Sequence, residues 1–262
     1  MLQYCFNNSP IKAIQLTYPN KFQPWDFNYV GAGYWQNVDN CIKATRWLIE
    51  DKLKLTHKQL KEQLSQEMFV DNGLGGMLNY CFNSSPINAI ELAYPNTFKP
   101  WEFQRVNKGY WQDINNGIKA TRWLIEDKLK LTDEELKEQL SSKLFINNGL
   151  KSMLEHCFDS SPIKAVQLTY PNKFKSWEFN QVPKGYWDNK QNRIDAVRWL
   201  IEEKLNLTDK ELKEQLSQKL FMDNRLGGML YLCFDNSPFK AIEMAYPGKF
   251  KKEDFKNYNY IR

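Results

Sequence analysis

The chain has 262 residues, 42% of them hydrophobic, 26% charged and 15% aromatic, with a formal net charge of +5. That apolar content excludes a disordered chain, and no stretch reaches the roughly 20 apolar residues that span a bilayer. The segment MLQYCFNNSPIKAI lacks the basic, apolar and small-residue order of a secretory signal, so a cytoplasmic protein with no membrane partner is expected.

Met1-Leu2 recurs as Met77-Leu78, Met153-Leu154 and Met229-Leu230, always 76 residues on. The nine tryptophans fall into three sets in the same register: Trp25, Trp101, Trp177; Trp35, Trp111, Trp187; and Trp47, Trp123, Trp199. A period this strict defines an array of like modules, and it lets the chain serve as its own alignment. Complete modules are expected at 33–107, 109–183 and 185–258. Residues 1–31 read as the C-terminal half of another, so the chain either begins on an orphan half-unit or has been cut from a longer array. An incomplete module exposes a hydrophobic face unless it docks on a neighbour.

The elements of the middle copy stand for all. Gly109 to Asp113 reads as a turn delivering an aromatic anchor. Asn116 to Leu129 has helical periodicity, with Ile118, Thr121, Ile125 and Leu129 on one side. Thr132 caps a second helix, and Glu135 completes a capping box. Ser141 caps a short third helix holding Leu144 and Phe145, which stops at Asn147-Asn148-Gly149. A fourth runs from Leu150 to Phe158 and presents Leu150, Met153, Leu154, Cys157 and Phe158 on one stripe. Ser161-Pro162 opens a fifth helix, closed before Pro171, and Phe174 to Phe179 forms an aromatic clasp. Strand-like alternation is absent. The fold class is therefore all-α: a tandem array of 76-residue modules, each of about five short helices with a helix-turn-helix-like core. Trp47, Trp123 and Trp199 are expected to be largely buried, and Trp35, Trp111 and Trp187 to pack near module boundaries.

Cys5, Cys81, Cys157 and Cys233 are one repeated position, and Cys41 is extra. An odd set with no C-x-x-C pair argues against a disulfide framework and against zinc. Each repeated cysteine precedes a phenylalanine and reads as a small buried residue in a reducing compartment. His57 and His156 occupy non-equivalent positions without fixed partners. Leu-Gly-Gly-Met at 74–77 and 226–229 becomes Leu-Lys-Ser-Met at 150–153, so a phosphate-binding role for the glycines is not required. No catalytic residue, metal or cofactor is expected, and the chain does not read as an enzyme.

Recognition is expected where copies differ at a fixed place. After Met-Leu the copies read Gln3, Asn79, Glu155 and Tyr231, off the apolar stripe of the fourth helix; Gly73 and Gly149 become Arg225, and Gly75 becomes Lys151. These residue types can read base edges, so Gln3, Asn79, Lys151, Glu155, Arg225 and Tyr231 are candidate base contacts; neutral drift at solvent positions is the bland account. Lys43, Arg46, Lys119, Arg122, Arg193 and Arg198 on the first helix are candidate phosphate contacts, with Lys99, Lys108, Lys175 and Lys184 between modules. The expected function is a modular DNA-binding protein, sequence-specific or non-specific, a regulator among the roles that fit, with duplex DNA as partner. The alternative is a helical-repeat scaffold that binds another protein without nucleic-acid contact. The acidic second helix weighs against DNA, and the sequence leaves the oligomeric state open.

Arg198 to Leu205, Leu226 to Leu230, Ser237-Pro238 and Ala245-Tyr246-Pro247 make the unit resemble a family of uncharacterised tandem repeats from Gram-positive bacteria and their phages. The resemblance covers essentially the whole chain and implies no molecular function. A looser likeness, through Phe158 or Phe234, the Ser-Pro cap and Ala165…Tyr170-Pro171, is to helical repeats accompanying homing endonucleases, which implies DNA binding without inherited catalysis.

Overall fold

The structure is a computed structural model and describes residues 2–6, 9–19, 21–27 and 29–256. The chain divides into two compact units, Met1–Tyr110 and Trp111–Arg262. Both are built from helices, with no strand among the described residues, as the periodicity of the sequence requires.

The first unit holds α1 (Leu2–Phe6) and α2 (Pro10–Thr17), then one complete set: α3 (Val38–Arg46), α4 (His57–Gln63), α5 (Gln66–Val70), α6 (Gly75–Phe82) and α7 (Pro86–Ala93). The second holds two sets. They are α8 (Ile114–Arg122), α9 (Asp133–Gln139), α10 (Ser142–Ile146), α11 (Lys151–Phe158) and α12 (Pro162–Thr169), followed by α13 (Lys190–Arg198), α14 (Asp209–Gln215), α15 (Gln218–Asp223), α16 (Gly227–Phe234) and α17 (Pro238–Ala245). Within each set the first helix packs on the fifth, α3 on α7, α8 on α12 and α13 on α17.

Local chemistry sets the boundaries. Thr56, Thr132 and Thr208 cap the second helices, and Gln59, Glu135 and Glu211 return the bond to complete capping boxes. Ser65, Ser141 and Ser217 cap the third, and Ser85, Ser161 and Ser237 the fifth, each of the latter followed by proline in the first turn. Each fourth helix ends on Asn83, Asp159 or Asp235 in the left-handed region, which short polar side chains tolerate.

Each first helix widens into a π turn, at Trp47–Lys52, Trp123–Lys128 and Trp199–Lys204. Leu53, Leu129 and Leu205 donate to carbonyls five residues back, at 3.0, 3.0 and 3.1 Å. The turn sends Leu48 and Ile49 inward and leaves Glu50 outside. Because it recurs in all three modules, it belongs to the fold and marks no single site.

Phe69, Phe145 and Phe221, on the third helices, are fully buried, each worth about 1.5–3 kcal/mol of apolar transfer. The first-helix tryptophans are largely buried, as expected, though not equally. Trp199 is buried, but Trp47 and Trp123 are half-buried. All three rings lie under the lysine of their own π turn, Lys52, Lys128 or Lys204. The set buried in every copy is Trp25, Trp101 and Trp177 of the clasp. In the first unit Trp25 stacks on Trp35 and meets Trp47 edge-on, at 6.3 and 5.6 Å. In the second, Trp177 meets Trp199 of the following module at 5.9 Å. Within each unit, the clasp thus carries the contact to the module that follows it.

The structure also brings the sulfurs of Cys41 and Cys81 together, between α3 and α6, a juxtaposition that counting cysteines did not anticipate. The extra cysteine supplies a second sulfur that the other modules lack: the position is Gly117 in the second and Arg193 in the third. Of the other repeated cysteines Cys157 is buried, Cys233 half-buried and Cys5 exposed. Burial pushes the Cys157 thiol above its usual range.

Candidate functional site

The first-helix cations have internal work. Arg46 donates from Nε and Nη2 to the carbonyl of Ala93, at 3.0 and 2.7 Å. Arg122 donates to Thr169 at 3.1 Å, and Arg198 to Ala245 at 3.2 and 3.0 Å. Each guanidinium also lies over the ring of the next tyrosine, Tyr94, Tyr170 or Tyr246, at 5.6, 5.9 and 5.8 Å from its centre. The tyrosine hydroxyl donates to Glu50, Glu126 or Glu202 on the π turn. Partial burial, then the carboxylate acceptor, pushes all three phenols well above their usual range.

Arg193 sits where Cys41 and Gly117 stand, with its Nε buried and without a hydrogen-bond partner. The residue as a whole is half-buried, whereas Cys41 and Gly117 at the same place are buried. Lys43 and Lys119 are exposed and in no ion pair among the described residues, but their counterpart in the third module is Asp195. The inter-module lysines Lys99, Lys108, Lys175 and Lys184 are exposed, and Lys175 lies 3.9 Å from Glu203.

Arg225, placed by sequence at a base edge, is engaged within the second unit. Its guanidinium donates to Asn180 Oδ1 at 2.7 Å and lies 3.7 and 3.5 Å from Glu134 and Glu138 on α9. It ties the third module to the second. Gly73 and Gly149 hold the same place in the left-handed backbone, at φ +78° and +81°, and Arg225 holds it at +64°.

The remaining base-contact candidates lie on the fourth-helix edge, and Gln3, Asn79, Lys151, Glu155 and Tyr231 are all exposed. Asn79 accepts a bond from Ser84, and Lys151 pairs with Glu155 at 3.7 Å. The chemistry of the edge changes from module to module. It is Asn79 and Tyr80 in the first, Glu155 and His156 in the second, and Tyr231 with Leu232 in the third, these last two exposed by 67 and 70%.

Beside this edge lies a position the sequence reading missed. Val70, Ile146 and Met222 end or nearly end the third helices and remain 53, 45 and 66% exposed. Met222 and Val70 border the first residue of the fourth helix: an added Cβ on Gly227 or Gly75 would meet them at 3.2 and 3.1 Å. The signal was available, because an aliphatic residue stands off the apolar stripe in all three copies. Among the described residues no cluster of three or more His, Cys, Asp or Glu could hold a metal ion, and no helix is long and apolar enough to cross a membrane.

Fold and surface together define an all-α tandem-repeat protein. The chain belongs to the family described as a protein of unknown function (DUF4046), which matches it three times in tandem, over residues 18–99, 100–175 and 173–251. No curated protein and no solved structure matches the chain.

Proposed function

We propose that the protein is a binding array, not an enzyme, and that each module offers the edge of its fourth helix, with the exposed end of the third, to a protein partner. The observation that carries this is the recurrence of an exposed aliphatic residue, Val70, Ile146 and Met222, next to an edge whose other residues differ in every module. A repeated apolar contact beside variable polar or aromatic groups is the composition of protein recognition surfaces, where aromatic and Met anchors sit among residues that set specificity.

Duplex DNA is the less favoured partner. Its contacts need unspent cations along one track, yet Arg46, Arg122 and Arg198 bond to carbonyls, Arg225 bonds to carboxylates, and Asp195 interrupts the lysine series. On the edge itself, the cations are Lys151 and Arg225, both in ion pairs.

The test is site-specific photo-crosslinking from Asn79, Glu155 and Tyr231 in the producing cell, alongside a mobility-shift series with duplex DNA across salt. Discrete protein adducts, lost on Val70→Glu, Ile146→Glu and Met222→Glu, are expected. Salt-dependent DNA binding that weakens with Lys43→Ala and Lys119→Ala, with no protein adduct, would overturn the proposal in favour of DNA.

A further inference from the structure

We propose that the uncovered face of α2 is a docking site for a helix of the module's own first-helix type, carrying an Arg-Trp-Leu-Ile-Glu run and supplied from outside residues 1–262. The other modules show what such a face accepts. Ile87, Ala89, Ile90 and Ala93 on α7 are buried, as are Ile163, Ala165, Val166 and Thr169 on α12. Their covers are α3 and α8. The same four places on α2 are Ile11, Ala13, Ile14 and Thr17, and α2 has no buried residue at all. Residues 1–262 contain three first-helix segments, and each covers the fifth helix of its own module.

The groups of the polar half are also present. In each complete module the arginine of the run donates to the last carbonyl of the fifth helix, at Ala93, Thr169 or Ala245. The glutamate of the run accepts from the following tyrosine. The counterparts here are the carbonyl of Thr17 and the ring and hydroxyl of Tyr18. Tyr18 is 50% exposed, and its backbone already adopts the geometry of its equivalents, φ −128° and ψ 71° against −131° and 67° at Tyr94. Beside α2 lies an open groove of about 830 Å³, lined by Ile11, Ile14, Phe27, Tyr29 and Tyr34 among others. The face thus combines an apolar patch, a helix-end carbonyl and the ring of Tyr18, over which Lys21 lies as Lys173 lies over Tyr170 beside Arg122. An unmatched carbonyl at a helix C-terminus and a tyrosine face both select a guanidinium.

The experiment uses the full chain and a labelled synthetic peptide of the sequence at residues 113–131, which holds the run Arg122 to Glu126 and no cysteine. Fluorescence anisotropy should report saturable binding of one peptide per chain. A peptide with Arg122→Ala and Glu126→Gln should bind about ten-fold more weakly, as expected for loss of charged hydrogen bonds. Ile14→Glu in the chain should abolish binding, while Lys58→Glu, on α4, should leave it unchanged; circular dichroism checks that both variants keep their helix content. Absence of saturable binding up to about 1 mM, the weakest range in which a site is meaningful, overturns the proposal. So does binding that survives Ile14→Glu, because the peptide would then be exchanging with α3 or adhering elsewhere.

Discussion

One guanidinium, that of Arg46, donates twice to one carbonyl, that of Ala93, across 47 residues of chain. The carbonyl belongs to the last residue of α7, where a helix leaves acceptors unpaired and its dipole is negative. The same bond closes the other two modules, so the arginine is part of how the first helix finds the fifth. A cation that recurs with the period of a repeat need not be facing a ligand.

Arg198→Ala should therefore destabilise the chain by about 1–3 kcal/mol, the cost of losing a charged hydrogen bond to a half-buried acceptor. Arg198→Lys should recover only part of this, since an ammonium cannot match the two-point geometry. Urea denaturation reads both. A loss below ~0.5 kcal/mol for the alanine variant would return Arg198 to the list of free surface cations.

Trp177 and Trp199 meet edge-on at 5.9 Å across the boundary between two modules. Trp177→Ala should cost about 3–5 kcal/mol, as for other buried aromatics. A double-mutant cycle with Trp199→Ala should give a coupling of about 0.5–1.5 kcal/mol. Additive losses would mean that the clasp does not transmit the module contact through these rings.

Much of the fold was legible because its signals are local. Thr132 and Glu135 announce a helix start within four residues, and Ser161-Pro162 another, and both stand where the sequence put them. The roles of Arg46 and Arg225 were not legible. A cation on a helix looks the same in sequence whether it points to phosphate, to Ala93 or to Glu138, and the deciding partners lie 47 and 87 residues away. The π turns were hidden because one widened turn barely shifts an apolar stripe over six residues. The juxtaposition of Cys41 with Cys81 rests on helix packing, which counting cysteines cannot supply.

Gly117 lies inside α8, where alanine ordinarily gains about 1 kcal/mol over glycine. Here an added Cβ would meet Cys157 Sγ at 2.8 Å, Cys157 Cβ at 2.9 Å and Phe158 Cε2 at 3.0 Å. Gly117→Ala should thus destabilise, by about 1–3 kcal/mol as for other overpacked sites. Adding Cys157→Ala should recover part of the loss by removing the sulfur. A more stable Gly117→Ala protein would show that α8 and α11 separate freely.

Tyr94, Tyr170 and Tyr246 have phenol pKa values raised from 10.0, first by burial and then by their glutamate acceptors. Folding thus favours the protonated phenol. The contribution is complete below pH 10, where unfolded tyrosine is also protonated. It declines as pH rises above 10 and is lost through the folded pKa, because the unfolded chain then binds fewer protons. Stability measured between about pH 9 and 11 should fall, and Tyr246→Phe should make that fall shallower. An unchanged alkaline slope in the phenylalanine variant would remove this linkage.

Arg225 sets two effects against each other. Its backbone at φ +64° is strained for any residue with a Cβ, at about 1–2 kcal/mol. Its side chain returns a hydrogen bond to Asn180 and two ion pairs with Glu134 and Glu138. Both glutamates are largely exposed, so the ion pairs contribute little and are screened by salt. Arg225→Gly loses the contacts and relieves the strain, and should change stability by less than about 1 kcal/mol. Arg225→Ala loses the contacts and keeps the strain, so it should be the less stable of the two by about 1 kcal/mol. Raising salt should lower the stability of the natural protein relative to Arg225→Gly, and leave the gap between the glycine and alanine variants alone. If alanine proved as stable as glycine in thermal or urea unfolding, the backbone there would not be held in the left-handed region, and the arginine would be a surface residue free to meet a partner.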